Sequence, residues 1–135
     1  MLNRPEQFVF TTFAPRKMMK KILLVDDEES IHLLYREEFE EEGYEVHSAL
    51  RGADALEKFK LISPDLVILD INMPDMNGIE VLRQMKEINP TLPVILSTAY
   101  HEYKQDLGAW ASDEYIVKSS DLGELKEAVR RHLSK

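Results

Sequence analysis

From Lys20 onward the chain alternates short apolar runs with longer segments in which apolar residues recur at helical spacing. The short runs are KILLV (21–25), YEVHSA (44–49), DLVILD (65–70), PVILST (93–98) and EYIVK (114–118). Several lack the polar alternation of a half-exposed strand, the pattern of parallel strands covered on both faces. Between them, Ile31, Leu34 and Phe39 precede Gly43; Ala55, Leu56 and Phe59 precede Ser63-Pro64; and Ile79, Leu82 and Met85 precede Asn89-Pro90. Each set predicts a helix, and the Gly or Pro beyond it ends that helix. A further helix is expected over HEYKQDLGAW (101–110). The last runs from DLGE through Leu125, Val129 and Leu133, with Asp121 as its cap and Glu124 reaching back. Five strand–helix units of this length predict a parallel sheet with helices on both faces and right-handed crossovers.

Residues 1–19 fall outside this pattern and are expected to form a weakly packed or arm-like extension, leaving 20–135 as the folded domain. Nothing after the last predicted helix suggests a fused effector domain. A chain of 135 residues that is 44% hydrophobic can build one sizeable core. No run approaches the roughly 18 apolar residues of a membrane span, and the N-terminus lacks a secretory pattern, so a soluble, cytoplasmic protein without membrane insertion is expected. The absence of cysteine removes disulfides, thiolate metal sites and thiol nucleophiles. Residues 1–21 carry five Lys/Arg and one acid; with a net charge of −8 overall, the remainder carries −12. Such a body repels a phosphate backbone, which argues against direct nucleic-acid binding, and attracts a multivalent cation or a basic partner. The acids of REEFEEEGYE read as a solvated helix face.

In an open parallel sheet, ligands sit outside the carboxyl ends of the strands, near the point where strand order reverses. Those ends carry Asp26-Asp27, Asp70, Thr98 and Lys118. Taken singly, each has an ordinary explanation: DDEE suits a helix start and Thr suits a strand. Together they form a more specific set. Three carboxylates on one rim repel one another unless a cation is shared, and oxygen donors without His or Cys favour Mg²⁺. An ammonium ending a buried strand needs an anionic partner. The set suits phosphoryl transfer, with Asp70 as nucleophile, Mg²⁺ neutralising two phosphoryl oxygens, and Lys118 and Thr98 taking others.

The segments ILLVDDE, DLVILDINMPDMNGIEVLRQMK, PVILSTAY and YIVK resemble the signature segments of receiver domains of two-component response regulators, the CheY-like family, over residues 20–135. The resemblance, to the stand-alone single-domain type, implies a (βα)₅ flavodoxin-like fold of strand order 2-1-3-4-5. It implies that Asp70 accepts phosphate from a histidine kinase or phosphotransfer protein. Asp27, Asp70 and the backbone carbonyl of Asn72 would ligate Mg²⁺, with Asp26 assisting through water. Lys118 would bind the phosphoryl group, Thr98 would move toward it, and Tyr115 would turn inward as a switch. The product would signal to a downstream protein whose identity the sequence does not give, and a homodimer is left open. The domain would act as a switch and not as an enzyme with a separate substrate.

Two departures stand out. Ser119 follows Lys118 where the family usually has proline, and GAWASDEY replaces the usual Gly-Ala turn before the fifth strand. They leave open a second reading, a pseudo-receiver used only for constitutive interaction. An aspartate-nucleophile phosphohydrolase is a third, but it commonly carries a second acid two residues on, where this chain has Asn72, which cannot protonate a leaving group. His32, His47, His101 and His132 have no metal-ligand spacing that coincides with the strand-end site and are expected at the surface. Met73-Pro74 is expected to shape the loop over the site.

Overall fold

The computed structural model describes residues 19–99, 112–119 and 121–134. Within them lie the strands β1 (Lys21–Val25), β2 (Glu45–Ala49), β3 (Leu66–Leu69), β4 (Val94–Thr98) and β5 (Glu114–Val117). The helices are α1 (Glu29–Glu41), α2 (Gly52–Ile62), α3 (Gly78–Ile88) and α4 (Gly123–Leu133). The strands form one sheet in the order β2-β1-β3-β4-β5 with every described pair parallel, as expected. The helix expected over 101–110 and the extension through residue 18 lie outside the described residues. No helix among the described residues is long and apolar enough to cross a membrane.

The missing polar alternation has its reason in two cores. Leu23, Val25, Val67, Leu69, Val94 and Leu96 pack with Phe59 of α2 and with Val81, Leu82 and Met85 of α3. Their neighbours Ile22, Leu24, Leu66, Ile68 and Ile95 pack with Tyr35 and Phe39 of α1 and with Leu125, Ala128 and Val129 of α4. Both faces of the central strands are therefore buried, and truncating a fully buried leucine such as Leu69 to alanine would cost about 2–5 kcal/mol.

The helix ends combine expected and unexpected chemistry. Gly43, just beyond α1, takes φ +96° and donates its N–H to the Glu40 carbonyl at 3.0 Å, a left-handed stop that a side chain would strain. Asn77 caps α3 by accepting the Ile79 N–H at 2.8 Å. At α4 the expected cap is displaced: Leu122 holds the cap position, while Asp121 accepts the Gly123 N–H from one residue further out. On α1 the buried stripe is His32, Tyr35 and Phe39; of the expected residues Phe39 lies in it and Ile31 packs partly buried against it, while Leu34 is exposed. Nor is the acidic face of α1 wholly solvated, because Glu38 pairs with Lys126 and Glu42 lies 3.3 Å from Arg130, tying α1 to α4.

The first turn of α3 packs directly on the chain that leaves β3. Gly78 donates its N–H to the Ile71 carbonyl at 2.8 Å. A Cβ at Gly78 would stand 2.3 Å from the Asp70 carbonyl oxygen and 2.7 Å from the Ile71 Cα, both backbone atoms that cannot rotate away. Gly78→Ala is accordingly expected to lower unfolding free energy by about 1–3 kcal/mol in urea titration, as overpacking does; an unchanged midpoint would contradict this packing.

Candidate functional site

The strand order reverses between β1 and β3: from β1 the chain crosses outward to β2, and from β2 it returns to β3 on the other side. Asp26 and Asp70 follow the last residues of these two strands. Each remains in the ladder by its N–H, Asp26 to the Ala49 carbonyl at 3.1 Å and Asp70 to the Val25 carbonyl at 2.9 Å. Their carboxylates are thereby held at the rim of the sheet while the residues stay 2% and 5% exposed. Asp27 is exposed, and one oxygen from each of the three acids lies within 4.8 Å of the others.

Lys118 enters from β5. Its backbone N–H donates to the Thr98 carbonyl at 2.7 Å, so β4 and β5 together set its position. Its Nζ lies 2.7 Å from Asp26 Oδ2 and 3.5 Å from both Asp70 Oδ2 and Glu28 Oε1. The described peptide bonds are all trans, and with Ser119 in the place of the usual proline Lys118 still reaches the acids. Asp27, Glu28, Asp70, Asn72, Ala99 and Lys118 line a cavity of about 250 Å³. Thr98 is fully buried at the end of β4, next to the lining Ala99. Tyr115 lies further back along β5, opposite Leu96, and packs against the core shared with α2 and α3.

Burial sets the electrostatics. It pushes the Asp70 carboxyl up to about 6, with Asp26 and Asp27 adding to the rise, while Lys118 and the Asn72 N–H oppose it. For Lys118 burial pulls downward, but the hydrogen bond and charge of Asp26, then the charges of Asp70 and Glu28, outweigh it and hold the ammonium above its ordinary value. Two buried acids thus share one cation, which leaves an excess of negative charge. A hard divalent ion fits this donor set: carboxylate oxygens only, a solvent-facing Asp27, and Asn72 on the same wall.

Three contributors escape a reading of the chain. Glu28 lies beside Lys118, although it reads as one more helix-start acid. Asp75, beyond Asp70 on the loop to α3, accepts the Gly52 and Ala53 N–H groups of α2 at 3.0 and 3.2 Å. Those bonds, the Gly52 one foremost, hold its carboxyl below the usual range. The loop over the site is therefore latched to a helix far away in sequence, and no local pattern announces that. Of Met73-Pro74 in the same loop, Met73 is partly buried against the core and Pro74 is exposed. His32 is 7% exposed, contrary to the expected surface position, and its place in the stripe with Tyr35 and Phe39 was the available signal. His47 and His132 are half-buried beside Glu45 and Glu114, also not free at the surface; His101 lies outside the described residues.

Because the folded-state value of about 6 for Asp70 exceeds the ordinary 3.8, the folded protein binds that proton more tightly than the unfolded chain does. Ionising Asp70 therefore lowers stability as pH rises from about 4 to about 6, and the loss persists above that range. In divalent-free buffer, Asp70→Asn should melt higher than the parent at pH 7 and lose this advantage near pH 4. A variant melting at or below the parent at pH 7 would contradict the assignment of burial as the dominant cause.

Comparison with known proteins places this arrangement. Residues 22–130 match the response regulator receiver domain. Sporulation initiation phosphotransferase F of Bacillus subtilis is 40% identical over 121 residues, covering 86% of this chain and 95% of that protein. The next curated relatives are longer regulatory proteins, of which the match covers 25 to 53%. Among solved structures, the response regulator TrrA of Thermotoga maritima in complex with Mg²⁺ and BeF is 50% identical with a TM-score of 0.82, covering 85% of this chain and all of that one. TrrA in complex with the histidine kinase ThkA is 49% identical with a TM-score of 0.79, covering 85% and 99%. With a family match over most of its length, this chain belongs to the response regulator receiver domains of two-component signalling.

Proposed function

We propose that this receiver takes a phosphoryl group on Asp70 from a histidine kinase or phosphotransfer protein and signals by changing a protein-binding surface. The observation that carries the reading is the convergence of three carboxylates and one ammonium in a single cavity at the strand-order reversal. With a carboxyl near 6, Asp70 is mostly ionised at pH 7 and available as a nucleophile. One of its oxygens forms a bond to phosphorus as the bond from phosphorus to the donor's imidazole nitrogen breaks, and that nitrogen keeps the electron pair. The result is an aspartyl phosphate on the protein itself.

Asp27, Asp70 and the Asn72 carbonyl would hold Mg²⁺, with Asp26 assisting, and the bound ion would supply charge neutralisation at the phosphoryl oxygens. Lys118 reaches both buried acids and pairs with a phosphoryl oxygen once Asp70 carries one. Thr98 offers its hydroxyl from the neighbouring strand end. Tyr115, half-buried on the strand that delivers Lys118, follows the movement of Thr98 as the switch. The folded unit is taken as residues 20–135, with residues 1–19 as an appended extension. A phosphorylated state stabilised by these contacts biases a two-state surface toward a downstream protein partner.

Incubation with Mg²⁺ and acetyl phosphate should give an acid-stable, base-labile phosphoprotein that is absent with EDTA and absent in Asp70→Asn. Equal labelling of parent and variant would show that another residue is the acceptor. No Mg²⁺-dependent labelling of the parent by either acetyl phosphate or a phosphorylated kinase would favour a constitutive interaction module.

A further inference from the structure

His32 lies in the first turns of α1, buried to all but 7%, with its Nε2 2.6 Å from the backbone carbonyl oxygen of Asp26. A carbonyl only accepts, so Nε2 carries the proton, and in the neutral ring Nδ1 is left as an acceptor. Nδ1 is buried and has no hydrogen-bond partner among the described groups. A donor at Nδ1 would be stranded there, so the geometry selects one neutral tautomer. The imidazole thus makes a single directed bond, and that bond goes to the first residue of the acidic pair.

The Asp26 carbonyl has a use for it. The Asp26 N–H makes the last described bond of its strand to β2, after which the chain turns toward Asp27 and α1. Past the end of the ladder a buried carbonyl has no strand partner, and His32 supplies the donor. The side chain of the same residue is fixed separately: Oδ1 accepts the Glu28 N–H at 3.0 Å and Oδ2 lies 2.7 Å from Lys118 Nζ. Asp26 is therefore gripped at its carbonyl by α1 and at its carboxylate by β5 and the helix-start backbone.

We infer that His32 is a positioning residue for the acid pair: its Nε2–H bond to the Asp26 carbonyl fixes the turn that aims the Asp26 and Asp27 carboxylates at the space beside Asp70. This rests on reading the acid cluster as the Mg²⁺ site. His32 acts through the backbone and touches neither the ion nor the phosphoryl group.

The test compares Mg²⁺ affinity, by isothermal titration calorimetry, with urea stability in the parent, His32→Leu and His32→Gln. Outer partners of metal ligands typically contribute 10–100-fold in affinity, so His32→Leu is expected to weaken Mg²⁺ binding by about 10-fold or more. His32→Gln, whose amide can still donate, is expected to stay within about threefold of the parent. A purely structural histidine would lower stability in both variants and leave affinity unchanged in each folded fraction. Imidazole ¹⁵N shifts of the parent need no variant and should report Nε2 protonated and Nδ1 bare. Protonation at Nδ1 alone, or parental affinity in a folded His32→Leu, overturns the role of His32 and leaves the Mg²⁺ site standing. A parent that binds no Mg²⁺ at all would overturn both.

Discussion

Asp26 and Asp70 are almost fully buried side by side, and the Lys118 ammonium within 3.5 Å of both is what makes that tolerable. Like charges so close would otherwise force protonation or open the rim of the sheet. One cation against two buried carboxylates and an exposed third leaves the balance negative, which adds to the burial that pushes the Asp70 carboxyl up to about 6. The rest of the site serves this charge imbalance. The ladder bonds of Asp26, Asp70 and Lys118 hold the charges where they cannot relax apart, and the remaining deficit is what a divalent ion or a phosphoryl-bound state can correct.

Such a cluster needs a stiff frame, because an acid that can swing into water gives up its shifted affinity for a proton or a metal. Stiffness comes here from contacts that cross between elements. Gly78 lets α3 lie against the backbone that carries Asp70, and Asn77 closes the helix that begins there. Asp75 binds the same loop to the start of α2, and His32 joins α1 to the Asp26 turn. The loop that follows Asp70 is thus held at its origin, its middle and its end, while Asn72 faces the cavity. Phosphorylation would act on a preset rim, and its effect would pass outward by way of Thr98, the last residue of β4, and Lys118, just beyond β5, which are joined by a backbone hydrogen bond.

Much of this was legible in the chain. Uninterrupted apolar runs such as LVIL could only be strands covered on both faces, and parallel strands deliver their final residues to one edge. The acids, Thr98 and Lys118 therefore converge by topology alone, and Lys118 was bound to find an anion. Gly43 and Ser63-Pro64 ended their helices as written. The expectation for α1 failed at Leu34, where two helical registers competed: Leu34 is more apolar than His32 and Tyr35, yet Tyr35 meets Phe39 edge-to-face and is buried while Leu34 is exposed. Asp121 was one residue out because its carboxylate reaches the Gly123 N–H without occupying the cap position.

By sequence alone the chain determined its parallel strand order and which carboxylates and which cation meet at one rim of the sheet, since these follow from periodicity and from what ends a buried strand. Tertiary structure alone decided which groups hold those residues in place. Asp75 meets α2, Glu38 and Glu42 meet α4, and His32 meets the Asp26 carbonyl because independent elements pack together in space. Hydrogen bonds between elements depend on distances that no local spacing encodes, whereas hydrophobic periodicity is written into every few residues.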